Sequence, residues 1–371
     1  MPYTDKHNIL SLIENGTIKL RMSSLLTSDP VILASVDWDK VEGMLLGLAV
    51  GDSLGNTNES QIPADRRSRY GTINDYLPNL FSDGQPLGLP SDDTQMAFWT
   101  LEHMLNEGRI DPAILIEIFT NRKIYGIGMS VSRALKRYRS GSKWYESGVA
   151  SAGNGALMRV APIILPYLNN PSADLWLDIV TAATITHNDS TSTACCVAFV
   201  DLLWNILAGS WQPDPYQLID RFCDVLSELE DNSILKSRMP TFQYSGPLSA
   251  FVRQQVNQAL RENRDIETAC NYWGSGAYLL ETVPSMLYIL CKHLDNFEDA
   301  VTCAVNMSYD NDTIASMVGT ITGAIHGKSA IPARWLDNLS DRTTDSDDGA
   351  IYDLISQARK KWFDNQGGAD G

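Results

Sequence analysis

Three acidic stretches of this chain could hold divalent cations between them. Asp310-Asn311-Asp312-Thr313 stands near the C-terminus, Ser91-Asp92-Asp93-Thr94 follows Gly88-Leu89-Pro90, and Glu59 comes after Gly51 to Asn58. Adjacent carboxylates repel each other unless a cation or a proton intervenes, and both Asp92-Asp93 and the Asp310/Asp312 pair pose that problem. Each stretch also has the composition of a helix start, where Asp, Ser and Thr cap backbone N–H groups and the macrodipole favours negative charge. Capping accounts for any one of them alone. Five acids with no nearby His or Cys point instead to a hard, oxygen-preferring ion, Mg²⁺ or Mn²⁺ rather than Zn²⁺. The hydroxyls of Ser91 and Thr313 offer further neutral oxygens. If all five acids converge, a single dication leaves the cluster strongly negative, so two ions are expected, able to clamp substrate oxygens and activate water. A calcium loop of the EF-hand kind does not fit, because its twelve-residue pattern is missing.

Two small-residue loops are candidate ligand contacts. Ser151-Ala152-Gly153-Asn154-Gly155-Ala156-Leu157-Met158-Arg159 enters a helix-like stretch, a setting suited to phosphate or ribose. The same glycines serve a tight turn equally well. The loop matches neither the P-loop nor the dinucleotide fingerprint. Gly126-Ile127-Gly128-Met129-Ser130 is a second loop of this type. His187 lies between two predicted helices and is either structural or a ligand contact. No Ser-His-Asp or Cys-His arrangement can be assembled.

The elements that must position these residues are mainly helical. Asp39 can cap a helix through Val41, Met44, Leu45 and Leu48, and Gly43, Gly47, Gly51 and Gly55 recur at every fourth position along it. Glycine costs about 1 kcal/mol per helical position relative to alanine, so a whole stripe needs a reason. Close approach of another backbone is the natural one. Gly319, Gly323 and Gly327 repeat the device on the stretch Ile314 to Gly327. Antiparallel packing of the two stripes brings Glu59 to Asp310 and Asp312. Further helices are expected at Thr94–Asn106, from Pro112, and at 173–186, 192–207, 215–230, 248–262 and 297–306, with a C-terminal one at 350–363 before a Gly-rich tail. Asn232 to Gly246 reads as a long connection, and strands are scarce. Residues 1–37 form a separate extension, a hairpin or two small helices laid on the main domain or reaching out from it.

Composition narrows the function. The formal net charge of −16 over 371 residues argues against a nucleic-acid partner, because phosphate binding needs clustered Lys and Arg. The N-terminus lacks the pattern of a secretory signal. The best apolar run, Met44 to Gly51, is too short for a membrane span. Six cysteines without a C-x-x-C pair read as buried thiols in a reducing, cytoplasmic setting.

Taken together, Gly47-Leu48-Ala49-Val50-Gly51-Asp52-Ser53-Leu54-Gly55 with Glu59, Ser91-Asp92-Asp93-Thr94-Gln95-Met96, the 153–159 loop, Thr186-His187 and Asp310-Asn311-Asp312-Thr313-Ile314-Ala315 resemble the ADP-ribosylglycohydrolase family over Trp38 to Gly327. The resemblance implies an all-α orthogonal bundle in one large domain, 38–371, with two Mg²⁺ or Mn²⁺ ions. Ser91, Asp92 and Asp93 would hold one ion, Asp310 and Thr313 the other, and Asp312 would bridge them. Glu59 matches the family's acid near the scissile bond, so Glu59, Asp92 and Asp312 are the expected catalytic residues. Gly126, Gly128, Ser151, Gly153, Asn154, Gly155, His187 and Tyr309 are the expected ADP-ribose contacts. The implied reaction removes ADP-ribose from modified protein side chains, most plausibly arginine, by water attack at ribose C1″ through an oxocarbenium-like transition state. Ser308-Tyr309 departs from the family's usual Gly-Gly. The 1–37 extension is a second departure, and it resembles an element added for a partner such as an ADP-ribosylating toxin. On that alternative the chain protects by occluding the transferase.

Overall fold

The computed structural model describes residues 6–209, 214–344 and 348–364; the Gly-rich tail and residues 1–5 of the extension lie outside them. The N-terminal half contains α1 (Lys6–Glu14), a 3-10 turn at Ser24–Thr27, α2 (Trp38–Asn56), α3 (Pro63–Tyr70), α4 (Asp92–Glu107), α5 (Pro112–Asn121), α6 (Met129–Arg139) and α7 (Trp144–Ser147). It is followed by α8 (Asp174–Thr184), α9 (Ser190–Leu207), α10 (Pro215–Leu229), α11 (Leu248–Arg261) and α12 (Ile266–Trp273). The chain then adds α13 (Leu279–His293), α14 (Phe297–Met307), α15 (Asn311–His326), α16 (Ala333–Asp337) and α17 (Ala350–Trp362). Among the described residues the only strands are β1 (Leu235–Lys236) and β2 (Ser245–Gly246), an antiparallel pair within the 232–246 connection. The fold is all-α.

Two glycine-striped helices, α2 and α15, run antiparallel through its centre. A Cβ on Gly43 would overlap the carbonyl of Gly323, one on Gly47 that of Gly319, one on Gly51 that of Ala315, and one on Gly55 the backbone of Asp312. The stripes exist because nothing larger than hydrogen fits between the two backbones. Both helices are buried almost all round, which is why α2 shows no polar face. The N-cap of α2 is Asp37, whose carboxylate accepts from the N–H of Asp39 at 3.0 Å. The expected cap, Asp39, reaches across to Ser329 instead, accepting from its N–H at 3.2 Å and its hydroxyl at 2.8 Å.

The extension lies on the bundle. Ile9, Ile13, Ile18, Leu20 and Leu26 are buried in the common core. The N–H of Arg21 donates to the carbonyl of Leu229 at 2.9 Å, and that of Lys19 to Asn188 Oδ1 at 2.9 Å. One correction concerns apolar length. Among the described residues one helix, α9, is long and apolar enough to cross a bilayer, and 94% of it is buried inside the bundle. Cys195 and Cys196 are buried on this helix, and all six cysteines are free thiols.

Candidate active site

The pairing of α2 with α15 sets the geometry of the acids. It brings Asp52, in the last turns of α2, and Glu59, just beyond its end, to the first turn of α15, where Asp312 lies. The first turn of α4, with Asp92 and Asp93, completes the group. Carboxylate oxygens of Asp52, Asp93 and Asp312 lie within 4.8 Å of one another, as do those of Glu59, Asp310 and Asp312. Asp312 belongs to both sets.

Capping does not account for these acids. Neither Ser91 at the start of α4 nor Asp310 at the start of α15 makes a side-chain cap hydrogen bond to its own helix. The start of α4 is instead capped from another helix. Asp52 accepts from the N–H and hydroxyl of Ser91 at 2.9 and 2.6 Å, from the N–H of Thr94 at 3.1 Å, and from the hydroxyl of Thr94. This buried carboxylate thus locks α2 to α4.

The other acids have few donors. Asp93 Oδ1 is buried without a hydrogen-bond partner, and its Oδ2 accepts only the long 3.3 Å bond from Thr313 Oγ1. Asp312 Oδ1 accepts from the N–H of Thr313 at 2.8 Å, and Asp310 Oδ2 from Asn154 Nδ2 at 2.6 Å. Burial raises Asp93 well above the ordinary carboxylate range, and the charges of Asp52, Asp312 and Asp92 add to it. Asp92 is raised by burial, then by Asp52 and Glu59; Asp312 by burial, then by Asp310 and Glu59. Asp310 is pushed up to about 7 by burial, against the opposing hydrogen bond from Asn154. Glu59, at the exposed rim, is raised by the protein around it and by Asp52. A set of crowded, oxygen-only, donor-starved carboxylates with an orphaned buried oxygen fits divalent cations of the Mg²⁺ or Mn²⁺ kind.

Part of the acid group opens onto a cleft of about 320 Å³. Glu59, Asp92, Asp312 and Thr313 face it, and its walls include Gly126, Gly128, Ser151, Gly153, Asn154, Gly155 and His187. Gly126 has φ +71°, and a Cβ there would stand 3.0 Å from Asp92 Oδ1. Ser151 is paired with Ser130 through their hydroxyls at 2.8 Å. Tyr309 is absent from the lining; its side chain is 39% exposed, and its N–H donates to Ser275 Oγ at 3.0 Å.

The buried Arg159 fixes the 151–159 loop against the end of α8. Its Nη2 donates to the carbonyl of Ala182 at 2.7 Å and to Thr186 Oγ1 at 2.8 Å, and its Nη1 to the carbonyl of Gly155. Thr186, already accepting from Arg159, is free to donate its own hydrogen to His187 Nδ1, 2.9 Å away. That leaves the ring proton on Nε2, on the side of Gly153 and Gly155. Burial and the Arg159 charge push His187 down to about 3, so the ring is a neutral donor.

Several residues at or near the site were not anticipated as part of it. Asp52 stood in the sequence as the charge ending an apolar run and as a member of the Gly47–Gly55 motif, with no role of its own assigned to it. Arg66 on α3 is buried, donating to the carbonyls of Val305, Ser308 and Gln61 at 2.6, 2.9 and 2.8 Å and so fixing the approach to Asp310. Arg238, between β1 and β2, stacks on Tyr278 with its guanidinium 3.9 Å from the ring centre, and both line the cleft. Nothing in the local sequence signals either arginine.

The ADP-ribosylglycohydrolase family profile matches residues 34–365. An uncharacterised protein of Archaeoglobus fulgidus is 31% identical, over 82% of this chain and 92% of its own length. ADP-ribosylarginine hydrolase Tri1 of Pseudomonas putida is 26% identical over 81% of this chain and 74% of its own. ADP-ribosyl-[dinitrogen reductase] glycohydrolase of Rhodospirillum rubrum is 26% identical over 81% and 90%. Among solved structures, an ADP-ribosylglycohydrolase-related protein complex superposes with a TM-score of 0.62 at 25% identity, covering 87% of this chain and 98% of that one.

Proposed function

The chain belongs to the ADP-ribosylglycohydrolase family and is a hydrolase of that type, and from this premise we propose that it removes ADP-ribose from modified arginine side chains with the help of two divalent cations. The observation that carries the reading is the pair of acid triads sharing Asp312, which faces the cleft. Asp93 and Asp312, with Ser91 and Asp92 alongside, would hold one Mg²⁺ or Mn²⁺, and Asp310, Asp312 and Thr313 the other, while Asp52, whose oxygens already accept from Ser91 and Thr94, fixes the start of α4 beside them. When bound, such cations supply positive charge that orients ribose hydroxyls and makes water a better nucleophile.

The chain's own residues do the rest. The small loop Gly153-Asn154-Gly155 lets the substrate approach the backbone closely, and His187 Nε2–H offers a neutral donor beside it. Arg133 and Arg238 are the cationic side chains lining the cleft, suited to a diphosphate in a chain of net charge −16. Asp92 and Asp312 present negative charge where positive charge develops at C1″ in an oxocarbenium-like transition state. Glu59, at the rim with access to solvent, accepts the proton of the attacking water on its carboxylate.

The occluding reading is not favoured: Ile9, Ile13, Ile18, Leu20 and Leu26 of the extension are buried in the chain's own core, which leaves Met22, Val31 and Ile32 as its exposed apolar side chains. The test is release of ADP-ribose from arginine-, serine- and polymer-linked substrates, each with Mg²⁺ and with chelator. Cleavage of the arginine linkage that stops with chelator is the expected result. Cleavage of serine or polymer linkages alone, or activity indifferent to chelator, overturns it.

A further inference from the structure

Asp310 joins the acid group without help from its own helix, because its side chain makes no cap hydrogen bond at the start of α15. Its placement rests on the short link from α14, Ser308-Tyr309, and on whatever holds that link. One peptide unit of the link is gripped at both ends. The Ser308 carbonyl accepts from Arg66 Nη1 at 2.9 Å, and the N–H of Tyr309, in the same unit, donates to Ser275 Oγ at 3.0 Å. The N–H of Asp310 itself donates to the Ser275 carbonyl at 2.9 Å. Ser275 thus takes two successive backbone N–H groups, one on its hydroxyl and one on its carbonyl.

It does so in a backbone conformation that serine rarely adopts. Ser275 is fully buried with φ +43°, and it follows Gly274, the residue that ends α12 at φ +100°. A left-handed residue other than glycine is strained, and such strain persists where the surrounding structure holds the residue to a task. A glycine here would present the same carbonyl without the strain, but it has no hydroxyl to accept from Tyr309. The side chain is what the strained position retains.

The same segment reaches the other group that holds Asp310. The Ala277 carbonyl accepts from the N–H of Asn154 at 3.0 Å. Thr282 Oγ1 accepts from Asn154 Nδ2 at 3.3 Å and donates to the Gly276 carbonyl at 2.5 Å. Asn154 in turn is the donor to Asp310 Oδ2. Residues 274–282 therefore hold Asp310 by its backbone and, by way of Asn154, by its carboxylate, while Ala277 and Tyr278 line the cleft.

Resting on the cation-binding reading above, we propose that Ser275 is a positioning residue for the reaction: its hydroxyl sets Asp310 as a cation ligand and, through Asn154, sets the 153–155 loop against it.

The test compares Ser275→Gly and Ser275→Ala with the wild-type full chain. It reads Tm in chelator, Mg²⁺ affinity by calorimetry of chelator-treated protein, and hydrolysis of ADP-ribosylarginine. Both variants lose the hydroxyl, and only glycine relieves the backbone. Ser275→Gly should keep a Tm within about 2 °C of wild type, and Ser275→Ala should fall a few degrees below it. Mg²⁺ affinity should nevertheless drop about tenfold in both, with the Mg²⁺ concentration for half-maximal hydrolysis rising by the same factor. Wild-type Mg²⁺ affinity in Ser275→Gly overturns the proposal, because a loss seen in Ser275→Ala alone follows stability and not the hydroxyl. A wild-type chain that binds no Mg²⁺ removes the cation reading by itself. Ser275 is then judged by titration of ADP-ribose in chelator. Binding about tenfold weaker in Ser275→Gly than in wild type supports its hold on the 153–155 loop, and equal binding, or none in either chain, overturns it.

Discussion

Replacing Gly51 by alanine separates two effects that usually travel together. In an isolated helix the change is favourable by about 1 kcal/mol. Here the new Cβ would stand 2.7 Å from the backbone N of Ser316 and closer still to the carbonyl of Ala315, where ordinary contact begins at 3.4 Å. No rotamer relieves a Cβ, so α2 and α15 must part by roughly 1 Å, at an overpacking cost of about 1–3 kcal/mol. The net loss is between about zero and 2 kcal/mol, a fall of a few degrees in Tm. The functional loss should be larger. Gly51 precedes Asp52, and its contact lies one turn from Asp312, so the same displacement separates the acids on which both triads depend. A misplacement of about 1 Å can cost a hundredfold in rate. The assay is a series of single alanines at Gly43, Gly47 and Gly51, each followed by thermal unfolding and by hydrolysis of ADP-ribosylarginine. Stability losses should be similar along the stripe, and activity losses should grow towards Gly51. A Gly51→Ala chain that is more stable and fully active, as helix propensity alone predicts, refutes the packing argument. Equal activity losses at all three positions refute its link to the acids.

Other perturbations test other parts of the site. Asp310 is raised from the ordinary 3.8 to about 7, so the folded chain keeps a proton that the unfolded chain has already released. Its contribution to stability is full below about pH 4 and is lost as pH rises through about 7, so the Tm of chelator-treated protein should fall between pH 5 and 8. Mg²⁺ should then raise Tm more at pH 8 than at pH 5; a flat Tm would contradict this. Arg66→Met leaves three backbone carbonyls without their donor, at about 1–3 kcal/mol each. Urea unfolding should show a loss of at least about 3 kcal/mol, and a loss below about 1 kcal/mol would be inconsistent with the role given to it. Asn154→Leu removes the donor to Asp310 and should raise the Mg²⁺ concentration for half-maximal activity by about ten- to a hundredfold. An unchanged Mg²⁺ dependence would mean that the bond does not orient a ligand.

Local chemistry made much of this molecule legible in its sequence. Glycines at every fourth position have one economical explanation in a helix without a membrane span, and it placed α2 against α15 in the right direction. Strong periodicity and Asp-Pro starts marked α5 and α10. The misses share a cause in long-range contacts. The α13 helix is buried nearly all round and contains Pro284, so neither periodicity nor propensity signals it. Asp52 caps a helix far away in sequence, and Arg66 and Arg238 act through carbonyls and a ring contributed by distant segments. Tyr309 stood out as a substitution in a motif, and the structure places it outside the residues that line the cleft.

The central claim is that the acids gathered around Asp312 hold cations. It is tested most directly by calorimetric titration of Mg²⁺ or Mn²⁺ into chelator-treated protein, wild type beside Asp312→Asn. Two ions bound per wild-type chain, with both sites weakened together in the variant, is the predicted result. A wild-type chain that binds no ion, or a variant that keeps two unaltered sites, would contradict it.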